Sequence, residues 1–281
     1  MRDIKQHNCD VFKEAWRKVK GEKCSFWGAA VLLTLISLGG FSILGLIILF
    51  GQAVFSPHFI PLLIKNPLMI LNTSITLSVG FLGTMLVYHI GQSLFEMFVL
   101  LPMRMGMRLI PLRQVAEKPV HALYVFKFFK WDYIWRFILL EVLLLIAIGI
   151  PGALGILAFC APHTYHFSLA LKVVSYAVGV LLYLLVLYQL VGYAFVNLLI
   201  IDRKVQPLAA MKLSLTAINK RWFCVFGILI VLGLALFVGA ALLLVGLIWA
   251  APFVQNAIAI LYRDMLGIEG HDPATLKELR G

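Results

Sequence analysis

From Trp222 to Tyr262 the chain runs for 41 residues without a charged side chain. A water-soluble domain has no use for such a stretch, and it is not alone. Phe26 to Phe50 adds an uncharged run of 25 residues, enough for about 37 Å of helix at about 1.5 Å per residue. Further apolar runs extend from Leu71 to Leu101, from about Phe137 to Ala161 and from Ser168 to Ile201. With 62% hydrophobic and 13% charged residues, about half the charged share of a soluble domain, the sequence predicts an all-α, polytopic helical membrane protein. A soluble enzyme and a secreted disulfide scaffold are excluded. The net charge of +11 does not indicate nucleic acid, because the basic residues stand beside hydrophobic runs, where they orient helices and attract anionic headgroups.

Residues 1–25 hold seven Lys and Arg, 102–134 six and 202–221 five, against one in 51–70 and none in 162–167. This alternation predicts a cytoplasmic N-terminus. Arg263, Lys277 and Arg280 favour the same side for the C-terminus. The 41-residue run then reads as two short helices with a turn near Gly233 to Gly239, giving about six spans. Pro252 would interrupt the last, with a neighbouring helix satisfying the freed carbonyl. The first run reads as a retained anchor rather than a cleaved signal peptide. The expected organisation is a cytoplasmic amphipathic segment over 1–25, a six-helix transmembrane domain over 26–262 and a short cytoplasmic tail over 263–281.

The connections carry helical patterning of their own. Val11, Phe12, Ala15, Trp16 and Val19 recur at helical spacing, which predicts a helix lying in the headgroup layer. Between 126 and 135, aromatic residues alternate with Lys127 and Lys130, the composition of an aromatic belt. After Pro207, which suits a first helical position, Leu208, Met211, Leu215 and Ile218 mark one apolar face. Arg17, Lys18, Lys127, Lys130, Lys220 and Arg221 are the expected contacts to anionic lipid.

Ionisable groups in hydrocarbon are costly and invite a functional reading. His89, Gln92 and Glu96 fall at i, i+3 and i+7, on one side of the second run. Glu141, near the same end of the third run, and Gln189, Tyr193 and Asn197 at i, i+4 and i+8 of the fourth are the other candidates for a polar cavity. The competing reading pairs each Glu with a juxtamembrane Arg such as Arg104 or Arg136, and lets the amides bond across helices. His163 and His166 lack the further ligands a zinc site needs, and Cys9, Cys24, Cys160 and Cys224 show no metal-like spacing. No motif for a phosphate loop, a zinc protease or a serine nucleophile is complete. No cofactor is expected.

The series Ile150-Pro151-Gly152, Ile201-Asp202-Arg203, Pro207-Leu208, Ala210, Ser214, Lys220-Arg221-Trp222, Trp249, Pro252-Phe253 and Leu261-Tyr262-Arg263-Asp264 resembles a group of bacterial six-span membrane proteins. These are the YciC-like proteins and the membrane domain fused to some glycerophosphodiester phosphodiesterases. The resemblance covers roughly residues 135 to 266. It implies the fold and a bacterial cytoplasmic (inner) membrane location, and it transfers no catalytic residue. The sequence therefore reads as a non-enzymatic membrane protein that organises lipid or protein partners, a second copy of itself included. A carrier of a small or lipid-like molecule is the alternative, and a membrane enzyme using His89, Glu96 and Glu141 comes third. Membrane-impermeant thiol reagents applied to intact cells are expected to label a cysteine introduced at His58 or Thr164 and to miss one at Arg113 or Lys212.

Overall fold

The computed structural model describes residues 4–55, 79–164, 168–241 and 246–268. The expected outer loop over 51–70 falls largely outside them, as do the start of the second apolar run and the tail beyond Ile268. Ten α-helices form the described chain: α1 (Ile4–Phe55), α2 (Val79–Phe95), α3 (Leu101–Val115), α4 (Trp131–Leu144), α5 (Ile150–Thr164), α6 (Leu169–Gly192), α7 (Val196–Arg203), α8 (Pro207–Asn219), α9 (Trp222–Ala241) and α10 (Leu247–Leu266). Five stretches are long and apolar enough to cross a membrane: Cys24–Gly51, Gly83–Val115, Trp131–Thr164, Leu169–Arg203 and Trp222–Ala241.

Two of these stretches are pairs of helices joined by a π-helical turn, Glu96–Leu100 between α2 and α3 and Leu145–Gly149 between α4 and α5. Each turn ends two residues before a proline, Pro102 or Pro151. A proline has no N–H to return to the carbonyl four residues back, and its ring crowds that carbonyl. Widening the preceding turn lets the rod continue: the Leu101 and Ile150 N–H groups reach back five residues to the Glu96 and Leu145 carbonyls.

Two other prolines are handled by neighbouring helices. Pro252 lies inside α10 and leaves the Ile248 carbonyl without its helical donor; Trp27 Nε1 on α1 donates to that oxygen at 3.1 Å. Pro162 lies inside α5 and frees the Ala158 carbonyl, which accepts from the Ser175 hydroxyl on α6 at 2.7 Å. Pro252 does not interrupt its helix, because the freed carbonyl finds the partner that the sequence reading anticipated.

The chain forms two apolar hairpins rising from one buried base. In the first, α1 packs against α2 and α3, with Gly40 beneath the Phe95 ring and Gly91 against Leu44. In the second, α5 packs against α6, where Phe159 covers Gly179 and Tyr183 lies on Gly155. Their outer surfaces are apolar: Leu46, Phe50, Leu157 and Leu181 are all exposed, as expected of lipid-facing side chains. The base gathers the start of α1 with α3, α4, α7, α8 and α10 around Phe137, Phe195, Leu199, Ile218 and Tyr262.

Three expectations are corrected here. Val11, Ala15 and Val19 are buried, so the amphipathic N-terminal helix turns its apolar stripe into the base and runs without a break into the first apolar stretch. The helix after Pro207 buries Ala210, Met211, Ser214 and Ile218, while Leu208 stays exposed. The turn expected at Gly233 to Gly239 does not form, and α9 runs unbroken to Ala241, because a glycine inside a helix costs about 1 kcal/mol and baring backbone groups in an apolar setting costs more. Gly239 serves instead for close approach, since a Cβ there would meet the Ala250 Cβ at 2.9 Å.

The sixth expected span, α10, is not among the helices apolar and long enough to cross. It lies along the first part of α1. Phe253 packs against Phe12 and Trp16, with ring centroids 6.3 and 5.9 Å away. Arg263 grips Glu14 through two bonds of 2.6 and 3.0 Å. Gln255, Asn256 and the Arg263-Asp264 pair explain why this helix settles in the base. Trp27→Phe and Ser175→Ala are each expected to lower stability by about 1–2 kcal/mol. Thermal unfolding in detergent checks this, and Thr34→Ala, which removes only an exposed bond to the carbonyl four residues back, should stay within about 0.5 kcal/mol.

Candidate functional site

The fourth apolar stretch breaks at residues 193–195, between α6 and α7. Buried Ser214 on α8 repairs the break: its hydroxyl donates to the Gly192 carbonyl at 2.7 Å and accepts from the Phe195 N–H at 3.3 Å. This fixes the direction of α7, at whose end Asp202, Arg203 and Lys204 enter the base. Lys204 caps α7 in the left-handed conformation, φ 54°, where glycine is the ordinary choice. Arg136 of α4 donates to the Lys204 carbonyl and holds that conformation.

A second wall forms after α3. Gly106 lets the 3₁₀ turn Ala122–Phe126 lie directly on α3, since a Cβ would meet the Tyr124 and Val125 carbonyls at 2.5 Å. Tyr124 is thereby placed with the Arg113 guanidinium 4.6 Å and the Lys127 ammonium 5.7 Å from its ring centre. Arg113 also donates to the Pro119 carbonyl at 3.1 Å. Phe128 drops into the core against Tyr133 and Phe137. The expected aromatic belt is thus divided: Phe128 is core, while Trp131 and Trp135 are exposed.

Between the two walls lies a cavity of about 680 Å³. Arg113, Lys118, Lys127, Lys130 and Lys204 line it, with Leu109, Leu112 and Ile268 among its apolar residues. Asp202, the one acidic residue lining it among the described residues, accepts the Tyr262 hydroxyl at 2.8 Å. Glu117, also left-handed (φ 56°), directs its carboxylate to Lys18, 3.6 Å away. Lys127 titrates below the usual lysine range, first because the cavity wall shields it from water and then because Arg113, Lys204 and Lys118 add positive charge.

Of the anticipated lipid contacts, Lys127 and Lys130 reach this cavity, and Arg17, Lys220 and Arg221 are exposed elsewhere. Lys18 is turned inward, donating to the Gln114 carbonyl at 3.3 Å. Arg113, Lys118 and Lys204 carry no signal in the sequence beyond their sign. The nearest to one is a lysine directly after a helix end, where glycine is common.

The intramembrane candidates are placed apart. His89 is exposed on α2, which packs against α1, whereas Gln189 lies on α6, which packs against α5. Glu96 pairs with Arg104 at 3.4 Å, as the structural reading expected. Glu141 lies within electrostatic range of Arg108, and Arg136 is taken by Lys204. The break at 193–195 interrupts the stripe of Gln189, Tyr193 and Asn197, and the amide oxygens of Gln189 and Asn197 are buried without a hydrogen-bond partner among the described residues. Among the described residues no group of three His, Cys, Asp or Glu could hold a metal ion.

No protein-family model, curated protein or solved structure matches the chain.

The Glu96–Arg104 pair is about half exposed on both sides, which limits its strength. Glu96→Gln is expected to change stability by less than about 1 kcal/mol, measured by thermal unfolding in detergent.

Proposed function

We propose that this chain is a non-enzymatic, multi-pass membrane protein that holds anionic lipid against its basic end, with that end on the cytoplasmic side of a bacterial inner membrane. The observation that carries this reading is the convergence of five cations on one cavity with a single carboxylate among its described lining residues. Arg17, Lys220 and Arg221 extend the positive surface around the same base. Each basic residue near an anionic surface adds roughly 1 kcal/mol of attraction. The resemblance to YciC-like proteins supports the location and adds no activity.

The test is lipid retention by the purified protein. Phosphatidylglycerol or cardiolipin is expected to be retained over phosphatidylcholine, less so as salt rises, because exposed charges are screened beyond about 8 Å at physiological ionic strength. Replacing Arg17, Lys220 and Arg221 together by Gln should weaken that preference and leave helicity intact. Equal retention of anionic and zwitterionic lipid at low salt would overturn the reading.

A further inference from the structure

Five cations around one cavity repel one another, and among the described residues Asp202 is the one acidic residue that lines it. Glu117, the carboxylate nearest in sequence to Lys118, is turned away to Lys18 by its own left-handed backbone. Asp202 accepts the Tyr262 hydroxyl and sets a single negative charge against the five cations. Among the described residues, no carboxylate forms an ion pair with Lys118, Lys127, Lys130 or Lys204. Lys204 reaches the cavity from a left-handed backbone conformation that disfavours a lysine relative to glycine. Unfavourable backbone geometry maintained by surrounding structure is a mark of functional sites.

We infer that this cavity is a discrete phosphate-binding site, whose ligand is a phosphate ester rather than a bare ion. The cations supply the fork and point charges that phosphate oxygens take. A space of about 680 Å³ exceeds a phosphate group and falls in the range of small-molecule sites. The apolar side chains Leu109, Leu112 and Ile268 give the organic part of the ester a surface to lie on. Lys130 stands beside Trp131, which stacks on Phe98 of the first hairpin at 6.2 Å, so one edge of the cavity adjoins exposed apolar surface. The ester is therefore either a lipid headgroup or a soluble molecule with the same phosphate chemistry. The inference rests on the reading above in taking anions as the ligands of the base, and it adds a saturable site with named residues.

The experiment uses the full chain in phosphatidylcholine nanodiscs, titrated calorimetrically with inorganic phosphate at constant ionic strength, with acetate as control. Wild-type protein should bind one phosphate saturably and acetate not at all. Lys127→Gln should weaken phosphate binding about tenfold or more, the effect of losing one charge-assisted hydrogen bond. Lys204→Gly should weaken it similarly while leaving the unliganded unfolding midpoint undiminished, since glycine relieves the left-handed backbone. A loss of binding through misfolding could not give that combination. Native mass spectrometry of nanodiscs containing phosphatidic acid distinguishes the sources. One lipid retained per chain and displaced by phosphate identifies a headgroup site; phosphate binding that displaces no lipid identifies a soluble ester.

Bulk preference for phosphatidylglycerol, measured on the same samples, separates the two failures. Absence of saturable phosphate binding, or equal binding by wild type and both variants, overturns the phosphate site even where bulk preference persists. Loss of bulk preference with variant-sensitive phosphate binding intact overturns the lipid-holding reading and leaves the phosphate site standing.

Discussion

A backbone carbonyl in an apolar setting must find a donor, and this requirement organises the protein more than any side-chain contact does. Prolines keep removing the donor. At Pro102 and Pro151 the chain responds within itself, widening the preceding turn. At Pro162 and Pro252 it borrows a donor from another helix, the Ser175 hydroxyl or the Trp27 indole. The borrowed bonds tie helix pairs at a fixed register, α5 to α6 and α10 to α1. Ser214 plays the same part at the gap between α6 and α7, where one hydroxyl serves both a carbonyl and an N–H.

These local solutions position the base. Because α10 is held to α1 at Trp27, Arg263 arrives opposite Glu14, and both side chains are largely withdrawn from solvent. Breaking a buried pair of this kind leaves an uncompensated charge, a far larger loss than an exposed pair entails. The same packing closes the core behind Asp202 and Lys204, so the basic cavity depends on the proline and serine contacts that orient α7 and α10.

The helical class and the apolar stretches were legible in the sequence because charge-free runs have few other physical uses. Pro252's need for a donor was legible too, since it follows from the missing N–H; that the donor is Trp27 was not, because the two are 221 residues apart. The stripe of Gln189, Tyr193 and Asn197 assumed one straight helix, and nothing in the residues 193–195 announces the break that Ser214 stabilises. The cavity was illegible for a related reason. Its cations come from separate segments, and in the sequence Arg113, Lys118 and Lys204 are indistinguishable from the positive residues that merely orient a helix. The amphipathic stripe of α1 suits lipid and protein equally, and Val11 and Ala15 face protein; periodicity reports that one face is buried and does not say against what.

The returning course of α10 along α1 has a consequence for how the chain is threaded. The described polypeptide departs from the base three times, through α1, α5 and α9, and comes back three times, through α3, α7 and α10. Among the described residues five stretches are able to cross, and the last of them, α9, is followed by a helix that lies in the base instead of crossing. Ile248, near the start of α10, is fastened to Trp27, close to the start of the uncharged run of α1, so α10 lies beside the base and the first part of α1. Glu14 and Arg263 meet at one clasp, and whichever side of a membrane one of these two residues occupies, the other shares it.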